Sequence, residues 1–538
     1  VVSVLVFEIA AARAEPLGDV FEVSPLVTPD LARVELGLPD GAEGLATDAI
    51  EVLNCPDTGG CSEIYPGTFY HACQPTPLAA PDADGNFLYP FEGDQAPEDI
   101  LPEVMAFYQV DKALAAGRAL GLPGLAGRLH VIVNVRNYDA ATIADCADGS
   151  YDGDVELEPI DTAYFTATGQ GIGVDRTGFH LVLPQAHAVD LALDGDVVHH
   201  ELGHAVMASL VPGLPFTRLD PYGTDPGPGG LHEGFSDLFA LMVSGDPVIG
   251  EYAGSGTGDG SPLRDLGESA RCPDDLVGQA HADSRPLTSG VFAARQAVAA
   301  GDPERARAFD RALMAAWMQL DDQASTARVT ELLVGEVAGE LGEADAAAAA
   351  AVLADHGLDG CNRRVVDASA GKRLAVLPGV TDPERGGTVP AIFQLRLELT
   401  HAAADIALEV RLFDTSQPDL LDVTALLAAG DQPIEWRPGA AGAPTADPDA
   451  EVALAVDDER RALAVFPGPF EAGVYHLMLA NHGGRATLHD TRAVAGDSIL
   501  DDGGCGCRLS ESRWPTSPLT LLLVVGLSRF RHRRRRPD

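Results

Sequence analysis

Lysine is almost missing from this chain of 538 residues: only Lys112 and Lys372 occur. Acidic side chains number 81 against 36 basic ones, giving a formal net charge of −45. Such a surface repels nucleic acid and anionic membranes, and it favours cations and solubility in salt. A solvated acidic exterior suited to a saline habitat accounts for the composition, with dedicated calcium sites as the sharper alternative. No G-x-S-x-G nucleophile elbow is present,. The stretch "GSGTGDG" (254–260) lacks the strand–turn–helix context of a nucleotide loop, and Arg373 follows Gly371-Lys372 where a phosphate-binding loop needs Ser or Thr,. The cysteines lack the repeated C-x-x-C spacing of a zinc ribbon,.

Hydrophobic residues make up 46%, an ordinary share for folded protein, and the length allows two to four domains,. Six cysteines (Cys55, Cys61, Cys73, Cys146, Cys272 and Cys361) are even in number and scattered, as for up to three disulfides in an exported chain,. Residues 1–14 read as the remnant of a signal peptide, with a short apolar run ahead of Ala12-Arg13-Ala14,. At the other end, Cys505 and Cys507 precede the apolar run Leu519–Leu527 and the arginines 529, 531 and 533–536. That run is short for a spanning helix, yet its basic flank suits a cytoplasmic stop.

Residues 15–97 are rich in Pro, Asp and Gly and read as a loop-rich, cysteine-containing region; "PDADGN" (81–86) reads as a turn, since Phe87 and Gly93 stand where a calcium loop needs Gly and Glu,. From Glu98 to Leu122 the spacing predicts a helix with Val104, Phe107, Val110 and Leu114 on one face,. "LHVIVNV", "TAYFTA" and "GFHLVLP" read as strands. From Thr288 to His356 the pattern is helical, with Pro303 in a first turn and Gly342 and Gly357 at helix ends,. From Arg363 the period becomes two, as in an antiparallel sandwich ending near Ala495,.

Between these regions lies "DVVHHELGHAV" (196–206). Positions i and i+4 on a helix lie only about 40° apart, so His200 and His204 can reach one ion. His199 is about 140° from His204 and faces elsewhere. The pattern is H-E-x-x-H: two imidazoles for zinc, and Glu201 to take a proton from the attacking water. A metzincin would need Gly at 207 and His at 210, where Met207 and Leu210 stand. Downstream, "GGLHEGFSDLFALMV" (229–243) reads as an amphipathic helix with Glu233 and Asp237 on one face. Glu233 can bind the metal while Asp237 supports a ligand histidine. His232 is the competing ligand, pointing about 100° away from Glu233.

"DVVHHELGHAV" followed by "HEGFSD" resembles the thermolysin-type gluzincin metallopeptidases, and their fungalysin-like relatives more closely still. Their shared pattern is D-V-V-x-H-E-x-x-H-A-V, then x-E-x-x-S-D. The resemblance spans roughly residues 98–361. It implies one zinc per chain on His200, His204 and Glu233, Glu201 as general base, and Asp237 orienting a ligand histidine. It further implies that Arg264 in "SPLRDL" holds a substrate carbonyl, that His281 and Tyr222 donate to the oxyanion, and that Asp196 ligates calcium. "TAYF" (162–165) stands where the family has an edge strand that pairs with substrate. This chain departs from the family at His232, where the family has Asn, in the inserted "DPYGTDPGPGG", and in the longer spacing from His281 to Ser289-Gly290. The last residues resemble the MYXO-CTERM sorting tail of myxobacterial surface proteins, which implies delivery to the cell surface or secretion after processing.

The expected fold class is multidomain α+β. A thermolysin-like catalytic domain (98–361), with a β-rich N-lobe and an α-helical C-lobe, precedes an all-β sandwich (362–495) and a sorting tail (496–538). The expected function is that of an exported zinc endopeptidase acting on extracellular protein and peptide substrates. Nucleic acid is not an expected partner, membrane contact is expected only through the tail, and the chain is expected to be a monomer. The alternative is a surface binding or adhesion protein with a vestigial peptidase domain.

Overall fold

A computed structural model describes residues 15–496 apart from 57–60, 66–67, 72–74, 94–98, 139, 151–156, 168–176, 258–259, 362–363, 369–370, 378–387, 416–417, 419–420, 439–443, 447–448 and 458. The signal-like segment 1–14, Cys73, and the tail with Cys505, Cys507 and Leu519–Leu527 lie outside the described residues. The fold is mixed α/β. Proximity of Cα atoms divides it into two compact units, one of residues up to 210 with 235–266, the other of 211–234 with residues from 267 onward.

The first unit is built on a four-stranded sheet. Its strands are β1 (Ile50–Asn54), β2 (Leu129–Val135), β3 (Tyr164–Thr166) and β4 (Phe179–Pro184), in the order β1-β2-β4-β3. β1 and β4 run parallel to β2, while β3 pairs antiparallel with β4 and forms an edge. Every residue of Leu129–Val135 is buried, as suits a central parallel strand covered on both faces,. Helix α1 (Leu101–Ala119) has Pro102 in its first turn, where a missing N–H costs nothing,. Val104, Phe107, Val110 and Leu114 are buried as expected, but so are Met105, Ala106 and Gln109. The helix is therefore enclosed on more than one side. Helix α2 (Gly195–Leu210) starts at Asp194, whose Oδ1 accepts from the amides of Asp196 (3.0 Å) and Val197 (3.4 Å),.

In the second unit a hairpin of β5 (Arg218–Asp220) and β6 (Gly223–Asp225) leads into helix α3 (Gly227–Ser244). The division between units falls inside this continuous helix, between Gly234 and Phe235. The short helix α4 (Glu251–Ser255) belongs to the first unit. Then come α5 (Ala280–Asp283), α6 (Arg285–Ala299), α7 (Pro303–Trp317), α8 (Thr326–Leu341) and α9 (Glu343–Asp355). Pro303 opens α7 behind an Asp302 cap, and Gly342 (φ 103°) and Gly357 (φ 71°) adopt the positive φ that a helix end needs,.

Two sheets follow. Their strands are β7 (Val365–Asp367), β8 (Lys372–Val376), β9 (Gln394–Leu399), β10 (Ala403–Val410), β11 (Leu412–Asp414), β12 (Val423–Ala429), β13 (Ala450–Ala453), β14 (Ala455–Val456), β15 (Ala462–Phe470), β16 (Gly473–Asn481) and β17 (Ala486–Gly496). One sheet has the order β7-β9-β16-β12-β13; the other has β8-β17-β10-β15-β14, with β11 also on β17. Pairing is antiparallel except that β7 runs parallel to β9. Leu395, Leu427 and Leu477 of the first sheet share a core with Ile406, Phe466 and Leu488 of the second. Cys272 and Cys361, joined by a disulfide, border the same core with Leu276. Cys55 and Cys146 are also disulfide-bonded. No helix among the described residues is long and apolar enough to cross a membrane.

Candidate metal centre

On α2 the rings of His200 and His204 stand 4.9 Å apart, near perpendicular, and both are buried. Ligand-capable atoms of His200, His204 and Glu233 all lie within 4.8 Å of one another. Among the described residues this is the one group of three or more His, Cys, Asp or Glu side chains able to reach a common ion. Two imidazoles and a carboxylate are a donor set that suits zinc. Glu201, the residue after His200, is buried at 7% exposure.

Asp237 fixes the orientation of His200. Its Oδ1 lies 2.8 Å from His200 Nδ1, and a carboxylate can only accept, so Nδ1 carries the hydrogen,. With the hydrogen on Nδ1, Nε2 is the His200 nitrogen that can act as a metal ligand. The same Oδ1 accepts from Arg264 Nε at 2.8 Å. Arg264 Nη2 approaches His200 Nδ1 to 3.2 Å, but with the hydrogen on Nδ1 this is a contact between two donors. The guanidinium thus serves the carboxylate, not the imidazole.

Close approach of α2 and α3 depends on Gly203. A Cβ there would lie 2.6 Å from the backbone Cα of Ser236. Sequence reasoning passed over this pair, although both residues sit inside the two motifs. On the opposite side of α2, His199 is buried among residues of α1; burial, then the Lys112 charge, push its pKa down to about 3. It stays neutral and takes no part in the ligand group.

His232 is likewise turned away from the group. Its ring stacks on Phe216 at 4.7 Å, and its Nε2 lies 3.3 Å from the Leu214 carbonyl oxygen. Burial lowers its pKa. His281, on α5, does reach the group: its Nε2 is 3.3 Å from Glu233 Oε2, although the ring is 55% exposed. Gln279 Nε2 donates to His281 Nδ1 at 2.7 Å, which leaves the ring hydrogen on Nε2, facing Glu233,. Gln279 also caps α5, its side chain accepting from the Ala282 amide. Nothing in the sequence pattern had drawn attention to Gln279.

Tyr222 occupies the β5–β6 turn and packs, partly buried, against the core of the C-terminal sheets. Asp196 sits in the first turn of α2 at 2% exposure. Burial first, then Asp194 and a hydrogen bond with Glu251, raise its pKa to about 8. Asp196 therefore keeps its proton at neutral pH, hydrogen-bonded to Glu251. Phe165 on the edge strand β3 stacks near His204, ring centroids 6.5 Å apart.

No protein-family model matches this chain, and no curated protein matches it. Among solved structures, the precursor of protealysin, a metalloproteinase from Serratia proteamaculans, is similar with a TM-score of 0.37 and 14% identity, over 60% of this chain and 91% of that one. A family GH115 4-O-methyl-α-glucuronidase with specificity for decorated arabinogalactans gives a TM-score of 0.14 and 11% identity, over 40% of this chain and 34% of that one.

Proposed function

We propose that this protein is an exported zinc endopeptidase of the gluzincin type, acting on extracellular proteins and peptides as a monomer. One observation carries the reading: His200, His204 and Glu233 converge, with Asp237 holding the hydrogen of His200 on Nδ1. When bound, zinc supplies Lewis-acid polarisation of the scissile carbonyl and of the attacking water. Glu201 takes the proton of that water and passes it to the leaving amine. His281 donates its Nε2 hydrogen to the oxygen on which negative charge develops. Tyr222, partly buried against the sheet core, is the second donor in this reading. Arg264 steadies Asp237 through Nε and is assigned to a substrate carbonyl through its Nη groups. The edge strand β3, beside His204, offers an extended substrate a backbone to pair with.

In the same reading, residues 98–361 form the thermolysin-like catalytic domain, 362–495 a β-sandwich, and the C-terminal tail directs the chain to the cell surface. The Cys272–Cys361 disulfide supports an oxidising destination,. Calcium, where it binds, would displace the proton of Asp196.

The test is casein hydrolysis by the purified full chain, with and without a chelator. Glu201→Gln should keep its zinc and lose about 10²–10⁴-fold in turnover. A wild-type chain with stoichiometric zinc that cleaves neither casein nor peptides would overturn the proposal.

A further inference from the structure

His281 is held on a helix of a single turn, and such a turn has little stability of its own,. Its rigidity has to come from elsewhere. Asp283 closes the segment on itself: its Oδ1 accepts from the amides of Val277 (2.7 Å) and Gly278 (3.0 Å). The other oxygen, Oδ2, accepts from Arg364 Nη1 at 3.2 Å. Arg364 also places Nε 3.2 Å from Asp225 Oδ1. That same Asp225 oxygen caps the Gly227 amide (2.9 Å), at the start of the helix that carries Glu233. One guanidinium therefore bridges the carboxylate that shapes the His281 turn and the carboxylate that starts the Glu233 helix. The side chains of Arg364 and Asp283 are 6% and 1% exposed, so these contacts are shielded from solvent,.

The fit is specific to this arrangement. A Cβ at Gly227 would lie 2.6 Å from Arg364 Nη2, so the helix start has glycine where the guanidinium passes. Arg364 itself is anchored in the C-terminal sheets: its carbonyl accepts from Gln394 N (3.0 Å), and its guanidinium lies over Phe393 at 5.5 Å. The sheets also grip both segments through the backbone. Ala375 N donates to Val277 O (2.6 Å), and Thr224 N donates to Pro390 O (2.8 Å).

We infer that Arg364 is a positioning residue that sets His281 against Glu233 by bridging Asp225 and Asp283, and that the C-terminal sheets thereby belong to the catalytic apparatus. This rests on the peptidase reading. Lysine cannot replace the bridge, because an ammonium on a flexible stem lacks the planar fork that spans two carboxylates.

The test compares Arg364→Ala and Arg364→Lys in the full chain, with a cycle against His281→Ala. Zinc content is expected to stay at the wild-type level. In Arg364→Ala, kcat on a peptide substrate should fall about tenfold to a hundredfold, the loss of a misplaced oxyanion donor, with little change in KM. In the His281→Ala background the same change should cost less than about threefold, because the two act as a unit. Arg364→Lys should recover only part of the activity. Losses that multiply across the cycle, or full rescue by lysine, would overturn the inference.

Hydrogen exchange supplies a readout independent of hydrolysis. Amides of 277–283 should exchange at least about tenfold faster in both variants, with α2 unchanged. Unchanged exchange in 277–283, or a uniform rise along the chain, would overturn the bridge. A wild-type chain inactive on peptides would count against the peptidase reading alone, since exchange still reports on Arg364. If Arg364→Ala does not fold, Arg364→Lys carries both measurements.

Discussion

At Asp237 one carboxylate oxygen accepts from both His200 and Arg264, each at 2.8 Å, in a site where the carboxylate is 1% exposed. An anion so buried is tolerable only because two donors, one of them always charged, converge on it. Its effect on function is indirect: it fixes which nitrogen of His200 can bind metal. Removing it in Asp237→Ala should weaken zinc about 10- to 100-fold without removing any ligand. Competition against a chromophoric chelator measures this, and unchanged affinity would mean that the His200 tautomer is set elsewhere. His199 shows the opposite case. It lies in the same short stretch, yet its ring is buried against α1 and away from the ligand group.

At the scale of elements, the site exists because α2 and α3 come unusually close. Gly203 touches the backbone of Ser236, and that contact brings Glu233 on one helix within reach of the histidines on the other. Gly203→Ala should force the helices apart, at a cost of about 1–3 kcal/mol typical of overpacking. The expected signature is a lower urea midpoint together with substoichiometric zinc. Full zinc content in this variant would show that the helices can slide without disturbing the ligands.

Much of this element pattern was legible in advance. The 3.6-residue spacing places His200 with His204 and separates His199, while Pro303, Gly342 and Gly357 punctuate the helices. Strand Val423–Ala429 was not legible, because its first five residues are all buried and no alternation survives in a strand covered on both faces,. His281 was named from the resemblance despite its altered spacing, and it lies 3.3 Å from Glu233, but Gln279 and Arg364 were invisible. Arg364 contacts Asp283 across 81 residues, and no local pattern encodes such a pairing.

Over the whole molecule, the acidic excess reaches into the interior. Burial comes first among the causes that raise Glu103 to about 7, Asp194 to about 6 and Asp196 to about 8. Each folded value lies above its ordinary 4.5 or 3.8, so the folded chain binds more protons than the unfolded one across this window,. The stability these groups contribute is complete below about pH 4 and is lost as pH rises toward 8. Thermal melts in chelator should therefore show Tm falling between about pH 5 and pH 8.5, and Asp196→Asn should flatten the upper part of that fall. Added calcium at the alkaline end should restore Tm in the wild type and not in Asp196→Asn. A Tm that rises with pH through this window would contradict the assignment of buried, protonated acids.

The measurement that bears most directly on the proposed peptidase is zinc per chain in the wild type, His199→Asn and Glu233→Ala, determined on the same preparations used for casein hydrolysis. One zinc is expected in the wild type and in His199→Asn, both active, with zinc and activity lost together in Glu233→Ala. Full zinc in Glu233→Ala, or its loss in His199→Asn, would contradict a metal centre made of His200, His204 and Glu233.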